Sequence, residues 1–312
     1  MHDVIATVLI MNDEVRTVEL SVAQKTYDEV RQRLFGIAYR MLGTVTDAED
    51  VLQEVWLRWQ SCDRSVVRDP AAFLATVTTR VSITALSAAK IRRETYIGEW
   101  LPSPVDTTED PTLGAERAEA LELAVLVLME KLTAAERAAY VLREAFVYPY
   151  PRIAEIIETS EANARQLVSR ARRHLESHEH RPVDRERHRR LFLAFLGAAQ
   201  DGDVDALESL LADDVVSYTD GNGMHRTARR PVAGKETVTR FLHGVAQWFW
   251  DDTELRIVEA NGRAMALASR DDHVFAALTA TIGAAGVHQV LWVMSPDKLA
   301  SIVPHDRLTA VP

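Results

Sequence analysis

The chain has one cysteine, Cys62, in 312 residues. A single thiol excludes an internal disulfide framework and suits a reducing compartment such as the cytoplasm. No apolar run approaches the length that a membrane span needs, so no membrane partner is expected. The stretch from Val4 to Met11 is apolar but short. An Asp precedes it rather than a basic segment, and no small-residue cleavage site follows, so it reads poorly as a signal peptide. No internal repeat is visible. Positive charge is also short: 36 Lys and Arg stand against 46 Asp and Glu, a net −10. In bulk that argues against nucleic acid, but DNA meets a local face rather than a total.

Two stretches break the acidic trend. Residues 80–93 hold Arg80, Lys90, Arg92 and Arg93 and no acid. Residues 161–175 hold Arg165, Arg170, Arg172 and Arg173 against Glu161 alone. An acidic chain with two basic islands suits a protein that meets DNA as part of a larger assembly.

The length allows two or three domains. Residues 1–23 form an unassigned extension. Over 24–93 the pattern is helical, with Val30, Leu34, Ile37, Ala38 and Met41 at helix spacing and Gly43 as a stop. Thr46 with Glu49 reads as a capping box for a second helix, and Pro70 as a first-turn residue for a third, after the polar stretch 61–69. Residues 94–114 read as a linker, with Pro102, Pro104 and Pro111, and with Trp100-Leu101 as its one apolar oddity. Residues 115–180 are helical again, with the stripe Leu121, Val125, Leu128 and Leu132. Over 185–307 one or two helices precede alternating β-branched runs separated by turn signals, among them Asn261-Gly262 and Arg270-Asp271-Asp272. That order predicts an α+β domain with a curved antiparallel sheet.

Within the second helical region, Tyr150 to Leu175 reads as a helix-turn-helix. Ile153, Ala154, Ile156 and Ile157 lie on its first helix, and Ala164, Leu167, Val168, Ala171 and Leu175 on its second. Ser160 is the candidate N-cap. Arg165, Gln166, Ser169, Arg170 and Arg173 remain on the outer face, where Arg and Gln suit base edges and Arg and Ser suit phosphates. An ordinary helical hairpin with a solvated basic face has the same pattern, and Glu158 stands where such a turn commonly has Gly.

The run Asp47 to Arg58 is the most distinctive in the chain. Val51, Leu52, Val55 and Trp56 mark its inner face, and Asp47, Asp50 and Glu54 share another. With the helix-turn-helix, this run resembles the extracytoplasmic-function (ECF) sigma factors of RNA polymerase. Trp100-Leu101-Pro102-Ser103-Pro104-Val105, Asp220-Gly221-Asn222-Gly223 and Ser295-Pro296-Asp297-Lys298-Leu299 resemble signatures of the subgroup with a C-terminal SnoaL-like domain, the mycobacterial sigma-J type. The resemblance spans nearly the whole chain.

It implies a multidomain fold: an all-α sigma-2-like bundle, an all-α sigma-4-like helix-turn-helix domain, and an α+β, cone-shaped SnoaL-like domain. Asp47, Asp50, Gln53, Glu54 and Trp56 would meet core polymerase, through its β′ and β subunits. Arg80, Lys90, Arg92 and Arg93 would contact the start-proximal promoter element, with the polar loop Ser61 to Asp69 near a flipped base and Phe73 either supporting that pocket or in the core. Arg165, Gln166, Ser169, Arg170 and Arg173 would read the upstream element. Ser82 to Ser87 lacks the Asn, Asp and Arg expected in relatives, and Ser103 and Asn222 depart from their Glu and Gly.

SnoaL-like domains include isomerases, cyclases and hydrolases, whose chemistry needs a positioned acid or base. The candidates are Asp220, His225, Asp271, Asp272, His273 and His288, and no pair is constrained by spacing to act together. No catalysis, metal or cofactor is expected. The expectation is instead an interdomain contact made by Trp100, Leu101, Pro102, Asp220, Gly221, Gly223, Asp297 and Lys298, with an unknown small-molecule ligand left open. Arg229-Arg230 reads as a solvated pair. Two other functions compete with a self-regulated sigma factor: a one-component helix-turn-helix regulator with a ligand-sensing domain, and a SnoaL-like enzyme fused to a DNA-binding module.

Overall fold

The computed structural model describes residues 2–107, 122–176, 183–224 and 227–303, with the side chains of 2–19 outside the description. Helices α1 (His2–Leu42), α2 (Val45–Ser61) and α3 (Pro70–Glu94) form the first bundle. Leu34, Ile37, Ala38, Met41 and Leu42 of α1 are buried against Val51, Leu52 and Val55 of α2 and Leu74 and Leu86 of α3. The unassigned N-terminal extension is the first part of α1. The cap of α2 is Thr44, which accepts from Asp47 N at 3.1 Å, two residues before the expected Thr46. Thr44 lies next to Gly43, whose φ of +77° ends α1, so the chain needs no further residue to restart. Asp69 caps α3 ahead of Pro70. By length and composition α3 is long and apolar enough to cross a membrane, contrary to the expectation that nothing approaches a span. Leu74, Ala75 and Leu86 are bundle core, and Phe73, Val77, Val81 and Ile83 pack against it half-buried.

The second helical unit comprises α4 (Leu123–Met129), α5 (Ala134–Tyr140), α6 (Tyr150–Ile156) and α7 (Glu161–Glu176). Thr133 and Glu136 make a capping box at the start of α5, which runs on into one π turn, Val141–Ala145. Leu121 and the rest of 108–121 lie outside the described residues.

The third unit begins with α8 (Arg185–Asp201) and α9 (Val204–Leu210). Then follow β1 (Leu211–Asp220), β2 (Val232–Ala233), α10 (Lys235–Phe249), β3 (Glu254–Ala260), β4 (Arg263–Arg270), β5 (His273–Gly283), β6 (Gly286–Val293) and α11 (Pro296–Leu299). The strand order is β2-β1-β6-β5-β4-β3. The sheet is mixed, not antiparallel as expected, because β1 pairs with β6 in parallel. The intervening strands form the meander that the turn signals predict. Asn261-Gly262 and Asp271-Asp272 all have positive φ, the requirement of a type I′ hairpin turn.

Both faces of the sheet are covered. Ala266, Leu278, Val290 and Trp292 pack on Phe192 and Phe195 of α8 and on Leu242 and Phe249 of α10. Met265, Leu267, Leu291 and Val293, on the opposite face, pack on Leu101 of the linker and on Leu123 and Val127 of α4. The outer sheet face is therefore a docking surface for the helical part of the same chain.

Candidate promoter interface and the clasp that covers it

On α2, Asp50 and Gln53 are exposed. Asp47 pairs with Arg92 at 2.5 Å and Glu54 with Arg58 at 2.8 Å. Trp56 is half-buried beside Tyr27, with ring centroids 5.1 Å apart. The tryptophan that is part of the core is Trp59, whose indole donates to Ala23 O at 3.0 Å. Trp56 thus stands at the rim of this face, not inside as its spacing suggested.

The helix-turn-helix forms as read. Ala154, Ala164, Leu167 and Val168 are buried in one cluster. Ser160 Oγ accepts from Asn163 N at 3.2 Å. Glu158 takes φ +55°, the left-handed turn that glycine adopts without strain. Arg165, Gln166, Ser169, Arg170 and Arg173 are all exposed on α7. Arg165 also pairs with Glu161 and lies over the Tyr150 ring, 4.4 Å from its centroid.

The basic residues of α3 are placed differently. Arg80 donates to Ile156 O at 2.9 Å and to Glu155 O at 3.0 Å, and pairs with Glu158 at 2.9 Å. It therefore covers the carbonyl end of α6, where the helix dipole favours a cation. Arg152 of α6 reaches back to Ala72 O at 3.0 Å and Thr76 Oγ1 at 2.9 Å on α3. Arg80 and Arg152 line an open cleft of about 750 Å³ with Val67, Asp69 and Phe73. Lys90 Nζ donates to Leu132 O at 2.7 Å. Arg93 donates to Leu42 O and pairs with Glu130, which also holds Arg137. Arg137 is fully buried and donates to Arg40 O at 2.9 Å. Of the four cations expected at the start-proximal element, Arg80, Lys90 and Arg93 thus face the second helical unit, and Arg92 faces Asp47.

The described part of the linker, up to residue 107, is bound to the third unit and the first bundle. Asp220 is fully buried at the end of β1 and accepts from Tyr96 Oη at 2.5 Å and from Leu101 N at 2.7 Å. Lys298 of α11 pairs with the same carboxylate and donates to Leu101 O at 2.5 Å. Its ammonium lies 4.4 Å from the Trp100 centroid and 4.8 Å from that of Tyr96. Burial pushes the Lys298 pKa down to about 8 against the opposing pull of Asp220. Burial, then the Asp220 charge, pushes the Tyr96 phenol up.

Trp100 stacks under Arg93, 3.6 Å from guanidinium carbon to ring centroid. It also lies over Gly43, where a Cβ would stand 2.8 Å from Cη2. Trp100 is therefore docked on Gly43, Arg93 and Lys298, while the Gly-containing loop meets the linker elsewhere, with Gly223 against Ile97. Gly221 lies against Thr227, and Asp297 is exposed.

A second contact joins the first bundle, the linker and the third unit. Asn261 exchanges backbone-level bonds with Val105, through Oδ1 and through its own N–H, both at 2.9 Å. Asn261 Nδ2 donates to Tyr39 Oη at 2.8 Å, and Tyr39 donates to Ser103 O at 2.6 Å. Sequence reasoning missed Tyr39, Tyr96, Glu130 and Arg152. It marked Asn261 only as a turn.

The acid-base candidates do not converge. His225 lies outside the described residues. Asp220 is spent in the clasp. Asp271, Asp272 and His273 are exposed, and His273 donates to Asp271 O. His288 is buried against Asp214 at 2.8 Å. Among the described residues no group of three His, Cys, Asp or Glu could hold a metal ion. Arg229 and Arg230 are exposed.

An acidic-faced bundle, a helix-turn-helix and a proline-rich tether between them define a sigma-type transcription initiation protein. Comparison agrees: sigma-70 region 2 matches residues 26–91, and sigma-70 region 4 matches residues 122–175. The chain is 43% identical over 230 residues to the ECF RNA polymerase sigma factor SigJ of Mycobacterium tuberculosis, covering 71% of this chain and 72% of that protein. It is 34% identical over 198 residues to the probable ECF RNA polymerase sigma factor SigI of the same organism, covering 61% of this chain and 67% of that protein. The crystal structure of M. tuberculosis SigJ superposes with a TM-score of 0.73 at 35% identity, covering 89% of this chain and 98% of that one.

The chain belongs to the ECF RNA polymerase sigma factors, of the SigJ-like kind with a C-terminal α+β domain, and directs transcription initiation. That family is non-enzymatic, which sets aside the reading as a fused enzyme, and a sigma factor displaces the one-component regulator.

Proposed function

We propose that this sigma factor is held closed by its own C-terminal domain and opens when it takes up core polymerase and promoter DNA in the cytoplasm. In the open form the α2 face with Asp47, Asp50, Gln53, Glu54 and Trp56 meets the β′ and β subunits. The α3 cations Arg80, Lys90, Arg92 and Arg93 track the start-proximal strand, and the outer face of α7 reads the upstream element. In this reading the chain divides into an extension, 1–23, a region 2 domain, 24–93, a linker, 94–114, a region 4 domain, 115–180, and a regulatory domain, 185–307.

One observation carries the regulatory reading. Arg80, Lys90 and Arg93 donate to carbonyls or carboxylates of the chain itself, so DNA and the closed form compete for the same donors. The C-terminal domain reinforces the competition by fixing the tether between the two DNA-binding units through Asp220, Lys298 and Asn261.

The test is promoter-dependent initiation with purified core polymerase, comparing the full chain with one ending near residue 180. Initiation that rises on truncation supports restraint by the C-terminal domain. Equal or lower initiation by the truncated chain removes it.

A further inference from the structure

The loop that leads into the helix-turn-helix is strained in a way that neither the clasp nor the α3 contacts require. Val147, exposed between the π turn and α6, takes φ +57°, a left-handed backbone that a β-branched side chain adopts only under strain. Two bonds hold the loop in this shape. Tyr148 N donates to Leu142 O at 3.0 Å, and Arg143 Nη1 donates to Tyr148 O at 3.0 Å. Pro149 and Pro151 stiffen the backbone on either side of Tyr150.

Tyr150, half-buried at the start of α6, is what this loop delivers. Its ring takes two guanidiniums. Arg143 of the π turn lies 4.7 Å from the ring centroid, and Arg165 of α7 lies 4.4 Å from it. Further along α7, Arg172 pairs with Glu144 of the π turn at 2.6 Å. The recognition helix is thus tied to the π turn at two places, one of them through the Tyr150 ring.

An exposed arginine has rotamer freedom that it loses when it grips a base. The ring contact removes part of that freedom beforehand, and it takes none of the five N–H donors. The ion pair of Arg165 with Glu161 is different, because it occupies a donor and is solvated on both sides. A guanidinium set in place by a ring keeps its donor fork for a base edge.

We propose that Tyr150 is a positioning residue for promoter recognition: its ring presets the Arg165 guanidinium for one base edge of the upstream element, and Arg143 holds the ring from the π turn. The inference rests on α7 reading that element, and Tyr150 itself touches no base. A stack that only braced α5, α6 and α7 would affect all promoters alike, whereas a stack that presets Arg165 affects the choice of base at one position.

The experiment uses the full chain reconstituted with core polymerase. A promoter selected by the parent holoenzyme is randomised position by position over the upstream element, and base preference is read from transcript frequencies. Arg165→Ala is expected to erase a preference of at least about fivefold at one position, the low end of a bidentate base contact. Tyr150→Leu keeps an apolar body without a π face, and should lose the preference at that same position and leave the others in place. Tyr150→Phe keeps the ring and Glu161→Gln keeps the stack, so both should retain it. Preference intact in Tyr150→Leu, with or without a uniform fall in transcription, overturns the inference, as does preference lost in Glu161→Gln. If Arg165→Ala changes no preference while Arg170→Ala changes one, α7 reads DNA and only this inference falls. If neither changes any preference, the reading of α7 falls with it. If Tyr150→Leu does not fold, Glu161→Gln decides, because the Tyr150 ring is then the contact left to hold Arg165.

Discussion

Asn261 donates a hydrogen bond to Tyr39 across 222 positions of sequence, at 2.8 Å. Tyr39 belongs to the region 2 bundle and Asn261 to the β3–β4 hairpin, and the tether that both also bond runs between them. The left-handed conformation of Asn261, with φ +52°, points its amide out of the sheet toward the bundle. Glycine keeps that backbone without strain. Asn261→Gly should therefore lose two buried side-chain bonds, to Val105 and Tyr39, and leave Val105 N without a partner, a cost of about 1–3 kcal/mol. Denaturant unfolding reads the loss. A change below about 0.5 kcal/mol would mean that the contact is incidental.

The Asp220–Lys298 pair is buried and shared with Tyr96 and Leu101. Removing one partner leaves a charge in a dry site, a cost of about 3–5 kcal/mol. Asp220→Asn and Lys298→Met should each destabilise strongly, and the double variant should cost clearly less than their sum. A thermodynamic cycle on unfolding free energies tests this. Strict additivity would show that the two side chains act independently.

Alkaline titration separates the clasp groups by sign. Lys298 is pushed down to about 8 by burial, so between about pH 8 and its ordinary value near 10.5 the unfolded chain binds the extra proton. Stability from this group therefore rises with pH through that window. Tyr39, Tyr96 and Tyr27 are pushed up by burial, so above about pH 10 the folded chain holds protons that the unfolded chain releases, and stability falls. Unfolding midpoints should pass through a maximum near pH 9–10, and Lys298→Met should remove the rise but not the fall.

Glu158 carries the left-handed turn of the helix-turn-helix, and its ion pair with Arg80 is largely solvated. Exposed pairs contribute little. Glu158→Gly should be tolerated or slightly stabilising, while Glu158→Val, β-branched at the same backbone, should cost about 1–2 kcal/mol. Equal stability of the two variants by denaturant unfolding would contradict the assignment of strain to this turn.

Much of this architecture is legible in the sequence because local rules carry it. Pro70 behind Asp69, the Ala154–Leu167 crossing and the Asp271-Asp272 turn are set by residues a few positions apart. The outer face of α7 follows from the same periodicity that buries Leu167 and Val168. What is not legible depends on contacts between distant segments. Arg80 and Lys90 look like phosphate ligands because their partners are backbone carbonyls, Ile156 O and Leu132 O, which leave no trace in a sequence. The parallel pairing of β1 with β6 is equally silent, since a strand covered on both faces loses its alternation. Trp100 announced a docking site without naming it, and Gly43 was read as a helix stop when it is also the floor under that ring.

The central claim is that regions 2 and 4 lie together in the free protein and separate on core polymerase. Cys62 is the chain's single thiol, and Ser169 is exposed on the recognition helix α7. A donor–acceptor pair on Cys62 and on Ser169→Cys reports the distance between the two regions by resonance energy transfer. High transfer in the free protein that falls when core polymerase is added is the predicted result. Unchanged transfer in a complex that initiates transcription would contradict the account, because the closed form would then be the working one.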